Sequence, residues 1–482
     1  MHPSFKSLAK HQTQLISIFV VLAMLITILP LYGNINTQSS SHNATPLFTT
    51  NHPNPGNTAW SQWLNNPYKN AVINSTSPMV ENLSWNITLP TGNIANLQKT
   101  GIPNMPEMID YNHSIIVGGY NTSYLYSIND TTGNVNWIFE AGPGYTFNVS
   151  AAASNNTIIA VANNIQTQNA GIYAINASNG ANLTTSYLSI YSTTSNTNFV
   201  SNAPVIAISS NGAFAFIDVF SPGNGGESLY CFSISSSGIT LKSKSVFQSK
   251  GPVLSGMSVQ STFDVFAITN TGTTNNNYEF MYTVNSNGGG ATANTASNKQ
   301  TIYSWSSPLL IKYGATINAF FTYFQLSAAK GSAASNGNWQ IDQFSPSTNV
   351  NGNNPSHTVQ LFSGGGANQA PPTKNFINGT PVYYDGNFFI IVNDYNGIST
   401  NNVILNYTYA QITGPNNPTP KQSKNIGKYP SYTDPVISNG IIYASDGNII
   451  YALNTTNFNV LWEYNTGSWI YSSPIIAHGS LY

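Results

Sequence analysis

An internal repeat narrows the folds open to this sequence more than any other feature. Residues 450–467 read IYALNTTNFNVLWEYNTG, and residues 125–142 read LYSINDTTGNVNWIFEAG. The two stretches align without a gap at an offset of 325 positions, with a tyrosine, a tryptophan and a final glycine in register. Looser copies of the first half begin at Gly171, Ser228, Phe280, Trp339 and Val403. The spacing between copies, roughly 46 to 64 residues, is close to the period of propeller blades.

A second repeated element contains a proline, a short apolar run, a polar turn and another apolar run. Asn439-Gly440 and Asp385-Gly386 favour the positive φ angles of tight hairpin turns. A proline at the start of a strand removes no ladder hydrogen bond. Copies begin at Met105, Ala151, Ala203, Gly251, Ser306, Thr380, Asp434 and Ser472. Each unit is therefore expected to be two consecutive hairpins, which together make a four-stranded antiparallel sheet.

Helical patterning is almost absent after Gly33, and repeated four-stranded sheets of this number close radially as a ring. The sequence therefore predicts an all-β fold over residues 59–482, a β-propeller of four-stranded antiparallel blades. Eight blades are favoured and seven are the alternative. The stretch SWNITLP, residues 84–90, is expected to complete the sheet begun by the last hairpin. Because the sequence stops at Tyr482 within a strand pattern, a truncated C-terminus is also expected.

The N-terminal region predicts export. Lys6 and Lys10 precede an uncharged run, residues 15–33, which as a helix of about 28 Å matches the hydrocarbon thickness of a bilayer. Lysines on the N-terminal side favour a cytoplasmic N-terminus and an exported body. Residues 1–33 are therefore interpreted as a signal anchor, preceding the propeller as a hydrophobic helix, with a cleaved signal peptide as the alternative. Residues 34–58, rich in Asn, Ser, Thr and Pro, are expected to form a flexible stalk.

Charge limits the partners. The 482 residues carry only 14 basic and 15 acidic side chains, a net charge of -1, and every basic residue is a lysine. Without a basic cluster the electrostatic attraction that drives nucleic-acid binding is missing, so a nucleic-acid partner is excluded. Protonating all 15 carboxylates and 7 histidines would bring the net charge only to about +21. The composition therefore favours an acid-exposed exterior, with compositional drift as the alternative.

The exported body is also expected to be glycosylated. The single cysteine, Cys231, excludes an intramolecular disulfide framework and a multi-cysteine metal site. Asn-x-Ser/Thr sequons are the acceptors for N-linked glycans. Fourteen occur, at Asn43, Asn74, Asn82, Asn86, Asn112, Asn121, Asn129, Asn148, Asn155, Asn176, Asn182, Asn378, Asn406 and Asn454.

The repeated pattern of Pro-Val, Asp-Gly, Tyr-Ala-Leu-Asn and Leu-Trp-x-Tyr resembles the quinoprotein-type, or PQQ-like, β-propeller repeat. The segment AWSQWLNNPYKNAV, residues 59–72, is similar to the start of such domains. Resemblance to the quinone-dependent dehydrogenases of this family would imply a calcium-bound cofactor held by carboxylates and an arginine, often with a vicinal cysteine pair. This sequence has no arginine and one cysteine. It looks closer to the non-catalytic surface and membrane-assembly propellers, for which no cofactor is expected.

No catalytic or metal-binding residues are predicted. Within the predicted domain, His113, His357 and His478 lack metal-ligand spacing, and the glycine after His478 favours a hairpin turn. Asp385 and Asp446 are likewise interpreted as turn residues rather than calcium ligands.

Three further groups of residues bear on packing, catalysis and surface contacts. The recurrent Trp85, Trp137 and Trp462 predict packing between blades rather than sugar platforms. Carboxylates that could meet at a central mouth for glycoside hydrolysis are Asp110, Glu140, Asp218, Asp264, Asp342 and Asp394. The Gly/Asn/Ser-rich stretches 286–301 and 328–369 are expected to be contact loops, with disordered decoration as the alternative.

The functional hypothesis is an exported cell-surface propeller that acts as a binding or scaffolding module. It is expected on the extracellular face of the membrane, held by the N-terminal helix, or secreted, with cell-envelope proteins or glycans as partners. The alternative is an extracellular enzyme, a divergent quinoprotein oxidoreductase or a glycoside hydrolase, with its site at the mouth of the central channel.

Overall fold

The computed structural model describes residues 61–90, 107–190, 202–246, 256–326, 337–344, 356–364, 376–393 and 401–482, apart from shorter gaps inside these ranges. The expected hydrophobic helix at 1–33 and the stalk at 34–58 lie outside the described residues. Among the residues that are described, no helix has the length and apolar character needed to cross a bilayer.

The described strands follow the predicted order of hairpins. Seven sheets of four or five strands succeed one another along the chain, and we number them as blades 1 to 7. Blades 1 and 2 contain β2 (Ile109–Asp110), β3 (Ser114–Gly118), β4 (Tyr124–Asn129) and β5 (Val135–Glu140), then β6 (Tyr145–Thr146), β7 (Ala152–Ser154), β8 (Thr157–Asn164), β9 (Asn169–Asn176) and β10 (Leu188–Ile190). Blades 3 and 4 contain β11 (Val205–Ser209), β12 (Gly212–Ser221), β13 (Gly226–Ser235) and β14 (Gly238–Val246), then β15 (Ser258–Val259), β16 (Asp264–Ile268), β17 (Asn277–Val284) and β18 (Ala291–Lys299).

The remaining elements complete the ring. Blades 5 and 6 contain β19 (Ile302–Tyr303), β20 (Leu309–Tyr313), β21 (Thr316–Leu326), β22 (Gly337–Phe344) and β23 (His357–Gly364), then β24 (Val382–Tyr384), β25 (Asn387–Val392), β26 (Asn402–Thr408), the short helix α1 (Tyr409–Ile412) and β27 (Gln422–Gly427). Blade 7 contains β28 (Val436–Ser438), β29 (Ile441–Asp446), β30 (Ile449–Asn454) and β31 (Val460–Asn465), and β1 (Val72–Ile73) joins it in parallel. A two-stranded closing hairpin follows, made of β32 (Ile476–Ala477) and β33 (Ser480–Leu481).

Blade 7 shows how the repeat forms a sheet. β28 and β29 pair across the turn at Asn439-Gly440, where both residues have positive φ, as the dipeptide predicts. The first strand of the blade is wholly buried, whereas the fourth strand, β31, is largely exposed. The first strand therefore faces the axis of the propeller, and the fourth lies at its rim.

The hydrophobic core consists of layers between successive blades rather than one central mass. Apolar side chains of blades 1 and 2 form one cluster and blades 2 and 3 the next, and a further cluster combines blades 6 and 7, the closing hairpin and blade 1. Pairs that join consecutive blades include Trp137 with Ala177, Thr157 with Ser235, Asn202 with Gly256, Phe266 with Phe321, Phe320 with Phe388, Asn402 with Ser445 and Asp434 with Ser473. The contact between Tyr482 and Asp130 returns from the closing hairpin to blade 1.

The prediction of eight four-stranded blades is wrong for the described residues, since the closing hairpin has only two strands. The stretch at 84–90 is not a strand and does not pair with that hairpin. It is held by side-chain contacts instead: the rings of Trp85 and Tyr482 lie 5.7 Å apart, and the Trp85 indole donates to the Asp130 carbonyl at 2.8 Å. The tryptophan pattern thus correctly related residues 84–90 to the closing hairpin, but the strand pairing predicted between them does not form.

The two stretches predicted as contact loops contain strands. β18 lies within 286–301, and β22 and β23 lie within 328–369. β18 has the sequence ATANTASNK, which lacks the large apolar residues used to recognise a strand. It pairs with β17 as the fourth strand of blade 4, the rim position that tolerates small polar residues.

Candidate functional site

The N-terminal segment 61–73 is bound to the first strands of four blades. At one end, the Ser61 carbonyl accepts a hydrogen bond from the Ala153 amide of blade 2 at 2.9 Å. The Gln62 side chain makes two hydrogen bonds with the backbone of Ile206 in blade 3, at 2.9 and 3.1 Å. Gln62 is fully buried, so this end of the segment is fixed between β7 and β11.

The other end of the segment is held by blades 6 and 7. The Asn70 side chain makes two hydrogen bonds with the backbone of Tyr383 in β24, at 2.9 and 3.0 Å. The Ile437 amide of β28 donates to the Ala71 carbonyl, and β1 then continues alongside β28. Blades 2 and 3 lie across the ring from blades 6 and 7, so the segment crosses the centre of the propeller.

Lys69 is the charged residue that this segment brings to the ring centre. Its side chain is fully buried and lies among Glu107 and Asp434, which precede the first strands of blades 1 and 7. Burial lowers the pKa of the Lys69 amine to about 7, although both carboxyl groups oppose that shift. Burial, and next the charge of Asp434, raise the pKa of Glu107 well above its ordinary value. The group is therefore a buried lysine and carboxylate cluster.

Residues that precede the blade prolines connect this cluster to its neighbours. The Ser307 amide donates to the Thr380 hydroxyl at 2.9 Å, and the Thr380 amide donates to Asp434. The Asp434 amide donates to the Ser473 hydroxyl at 2.8 Å. That hydroxyl lies 2.5 Å from Glu107 Oε1 and 3.0 Å from Asp434 Oδ2. A belt of hydrogen bonds thus joins blades 5, 6 and 7 and the closing hairpin to blade 1.

A second polar cluster lies where the closing hairpin meets blade 1. The His113 and His478 rings stack with centroids 4.0 Å apart, each in a hairpin turn and with positive φ. His113 Nδ1 is 3.0 Å from Asp130 Oδ2, and His478 Nε2 is 3.7 Å from the same oxygen. His478 Nε2 is also 3.3 Å from Asp110 Oδ2. Burial, opposed first by His478, raises the pKa of Asp110 to about 6.

The turn prediction for His478 is confirmed, but sequence reasoning missed its contact with His113. The repeat could have indicated this contact, because each histidine occupies the hairpin turn of the proline-containing repeat element, His113 in its first copy and His478 in its last. His357 lies elsewhere, in blade 5, where its Nε2 is 2.7 Å from the Gly414 carbonyl oxygen. Asp385 lies in a turn, as predicted. Asp446 ends β29 and accepts a hydrogen bond from the Tyr429 amide at 2.7 Å.

The carboxylates considered for glycoside hydrolysis that the structure describes lie on several different blades. Asp218, Asp264 and Asp342 lie on strands of blades 3, 4 and 5. Asp218 accepts a hydrogen bond from Asn202 at 3.0 Å, and the exposed Glu140 accepts one from Ser123. Asp394 lies outside the described residues. The carboxyl groups that do meet near the axis, from Glu107 and Asp434, were not among those selected from the sequence.

Trp137 takes the inter-blade packing role predicted for the three tryptophans, and Trp85 and Trp462 pack in other ways. The Trp137 indole donates to the Ala177 carbonyl of blade 2 at 2.9 Å, and a Cβ added to Gly180 would lie 2.8 Å from its ring. Trp85 makes the equivalent contact with blade 1, but from a stretch that is not a strand. Trp462 differs, because its indole donates to the Pro78 carbonyl at 3.0 Å and so contacts the chain that follows the segment 61–73 instead of a following blade.

The sequons differ in exposure. Asn82, Asn86, Asn112, Asn155 and Asn182 are exposed, whereas Asn148 and Asn406 are buried. Asn43, Asn74 and Asn378 lie outside the described residues. The Asn148 side-chain oxygen also accepts a hydrogen bond from Asn163 at 2.7 Å. Glycosylation at the exposed sequons stays a prediction.

Four exposed aromatic side chains form an aromatic patch beside blade 7: Tyr429, Tyr432, Trp469 and Tyr471. Their exposed fractions are 40 to 51%. The Trp469 ring lies 5.5 Å from Tyr429 and 6.4 Å from Tyr471, and Tyr471 lies 5.6 Å from Tyr432. The patch comes from the two loops that follow β27 and β31.

Both loops of the aromatic patch are anchored to the turn between β29 and β30. Asp446, at the start of that turn, accepts the Tyr429 amide hydrogen bond in one loop, and the Ile470 amide of the other loop donates to the Gly447 carbonyl at 2.9 Å. A Cβ added to Gly447 would lie 2.8 Å from Tyr429 Cβ. The close packing and these bonds hold the backbone of both loops against the turn.

Comparisons with known proteins show the fold. The structure is similar to a europium-containing methanol dehydrogenase, with a TM-score of 0.56, 10% identity and 87% of each chain covered. It is also similar to the quinohemoprotein alcohol dehydrogenase of Comamonas testosteroni, with a TM-score of 0.55, 10% identity and coverage of 86% of this chain and 74% of that one. BamB from Moraxella catarrhalis gives a TM-score of 0.39 at 13% identity, over 69% of this chain and 76% of that one.

No protein-family model matches the sequence, and no curated protein sequence matches it either. The similarity to the two dehydrogenase structures shows that the chain has the quinoprotein-like β-propeller fold, as the repeat predicted. At 10% identity this similarity shows the fold alone.

The residues at the ring centre do not fit the quinone and metal that the resemblance implies. The sequence contains no arginine, and its single cysteine, Cys231, is buried in blade 3. The fully buried Gln62, Lys69 and Asn70 occupy the centre, and the two amide side chains use their donors and acceptors on the first strands of the blades.

Proposed function

We propose that this protein is a binding or scaffolding module of the cell surface that holds a protein partner through the aromatic patch. The observation that carries this proposal is the exposure of four mutually contacting aromatic rings on anchored loops. Tryptophan and tyrosine supply much of the binding energy at protein interfaces, where they bury a large area with few rotatable bonds.

Rigidity and low charge support the same role. Because the backbone of both loops is anchored at Asp446 and Gly447, binding would cost little ordering of the loops. Charged residues are depleted from the centre of protein interfaces, and this chain is only 6% charged. Lys428 lies at the margin of the patch, with its Nζ 5.3 Å from the Tyr429 ring centroid.

The location at the cell surface rests on the sequence. The lysines before the apolar run at 15–33 and the polar stretch that follows it are typical of an exported, anchored protein. The enzymatic alternative receives less support, because the centre of the ring, where its site was expected, is filled by the chain's own N-terminal segment. The exposed surface is then the part of the molecule available for a partner.

Binding to isolated cell envelope of the source organism tests the proposal. We expect saturable binding of the full chain that is lost in a Trp469→Ala/Tyr471→Ala double variant. Tyr313→Ala is the matched control, because Tyr313 is equally exposed but belongs to blade 5. Protease treatment of the envelope should abolish binding. Binding that survives the double substitution contradicts the proposal, and binding that survives protease but not periodate indicates glycans instead of a protein.

A further inference from the structure

The geometry points to a zinc site at the ring closure: we propose that His113, His478 and Asp130 bind one Zn²⁺ ion, with Asp110 as the fourth ligand. The ion would join blade 1 to the closing hairpin, the two ends of the propeller.

The spacing of the donor atoms suits tetrahedral zinc. Zn–N and Zn–O bonds of about 2.0 to 2.2 Å at tetrahedral angles place neighbouring ligand atoms about 3.3 Å apart. The measured separations are 3.0 Å between His113 Nδ1 and Asp130 Oδ2, 3.3 Å between His478 Nε2 and Asp110 Oδ2, and 3.7 Å between His478 Nε2 and Asp130 Oδ2. One donor atom from each of His113, Asp130 and His478 lies within 4.8 Å of the others.

Asp110 provides an independent indication of a cation. Its side chain is fully buried, and apart from the contact with His478 neither carboxylate oxygen has a hydrogen-bond partner among the residues that the structure describes. A buried carboxylate without hydrogen bonds is unfavourable unless a positive charge compensates it. Its Oδ2 points to the histidine cluster, with His478 Nε2 at 3.3 Å. A bound Zn²⁺ would supply the missing partner.

The repeat shows that these residues depart from the pattern of their blade positions. Asp110 pairs with Ile115 in the first hairpin of blade 1, and at the same register blade 2 has Ala153 and blade 7 has Ile437. His478 takes the turn position that Asn439 occupies in blade 7. These two substitutions away from the repeat therefore lie beside His113 at one point, the junction between its first and last copies.

The ligand types select the class of ion. Two imidazole nitrogens with two carboxylate oxygens suit zinc and neighbouring transition metals, whereas calcium takes six to eight oxygen ligands. The ion can reach the site from solvent, because the side chains of His113 and His478 are 66% and 33% exposed. Both carboxylates lie beneath them and are buried.

Titration of the metal-free full chain with Zn²⁺, followed by calorimetry, tests this site. We expect one tight ion per chain, no competition from Ca²⁺, and tetrahedral absorption when Co²⁺ replaces Zn²⁺. His478→Asn and His113→Asn keep residues that the repeat itself uses in these turns. Each should weaken Zn²⁺ binding by at least about 100-fold. Loss of a residue that only supports a metal ligand costs up to about 100-fold, and loss of a ligand itself should cost at least as much. His357→Gln, in blade 5, should bind as the unchanged protein does.

Thermal unfolding adds a second readout. Zn²⁺ should raise the melting temperature of the unchanged protein and leave that of the His113→Asn/His478→Asn variant unaltered, because an ion bound only by the folded state stabilises it. Asp110→Ala, which takes the residue of blade 2, serves if a histidine variant fails to fold, and its affinity should also fall. Two results would overturn the proposal. One is equal Zn²⁺ affinity in all variants, which would assign the ion to the histidines before residue 53. The other is the absence of one-to-one binding.

Discussion

Replacing Lys69 by methionine should remove a pH dependence of stability that the structure assigns to one buried amine. Lys69 is fully buried, and burial lowers its pKa from 10.5 to about 7. Methionine is close in length and carries no charge, so Lys69→Met keeps the packing of the segment while removing the titrating group.

The size of the effect follows from the two pKa values. Between pH 7 and 10.5 the unfolded chain holds the Lys69 proton and the folded chain does not, so the free energy of unfolding rises with pH by about 1.4 kcal/mol per unit. The destabilisation is absent above pH 10.5, grows as the pH falls, and is complete below about pH 7. Over that range of 10.5 − 7 = 3.5 units it amounts to about 5 kcal/mol.

Urea unfolding of both proteins at several pH values between 7 and 10 measures this term. The difference in unfolding free energy, variant minus unchanged protein, should fall by about 1.4 kcal/mol per pH unit as the pH rises. Lys421→Met is the matched control, because Lys421 is exposed, and it should show no such slope.

A Glu107→Gln background removes the neighbouring carboxyl group from the titration. The slope should persist there and begin at lower pH, because the charge of Glu107 raises the pKa of Lys69. Parallel pH profiles for Lys69→Met and the unchanged protein would refute a buried lysine at the ring centre.

The remaining predictions concern packing, thiol chemistry and glycosylation. In urea unfolding, Gly180→Ala should destabilise the protein by at least about 1 kcal/mol more than Gly467→Ala. Both glycines have similar positive φ, but only a Cβ at Gly180 would contact a tryptophan ring. Equal losses of stability would show that the ring contact is unimportant. Cys231, whose pKa burial raises to about 12, should not react with a thiol reagent at pH 8 until urea unfolds the chain, and rapid labelling of folded protein would contradict its burial. In glycopeptide mapping of the exported protein Asn86 should carry glycan and the buried Asn148 should not, and an occupied Asn148 would contradict its position.

Much of the fold could be predicted because each blade repeats local signals. The prolines, the turn dipeptides and the tyrosine and tryptophan positions recur, and these residues determine strands, turns and inter-blade contacts within short stretches of sequence. The polar strand β18 was not predicted because its own sequence lacks these local signals. It is recognisable only from its pairing with β17, which is a tertiary contact.

The functional residues were harder to predict because they come together only when the ring closes. His113 and His478 lie at opposite ends of the domain, and only a comparison of the first and last copies of the repeated hairpin relates their positions. Lys69 stands in a segment without strand periodicity, so nothing in its local sequence indicates that it crosses the ring. The aromatic patch likewise combines two loops that a whole blade separates in sequence, and its exposure depends on how both are anchored.

Hydrogen exchange of the segment 61–73 tests the central claim of a filled ring centre most directly. The segment contacts blades 2, 3, 6 and 7, and Asn65, Lys69 and Val72 donate backbone hydrogen bonds within it. Its peptides should therefore exchange as slowly as those of the first strands β11 and β28 under native conditions. Exchange of the segment at the rate of an unfolded peptide, with β11 and β28 still protected, would show that the centre is open and contradict this account.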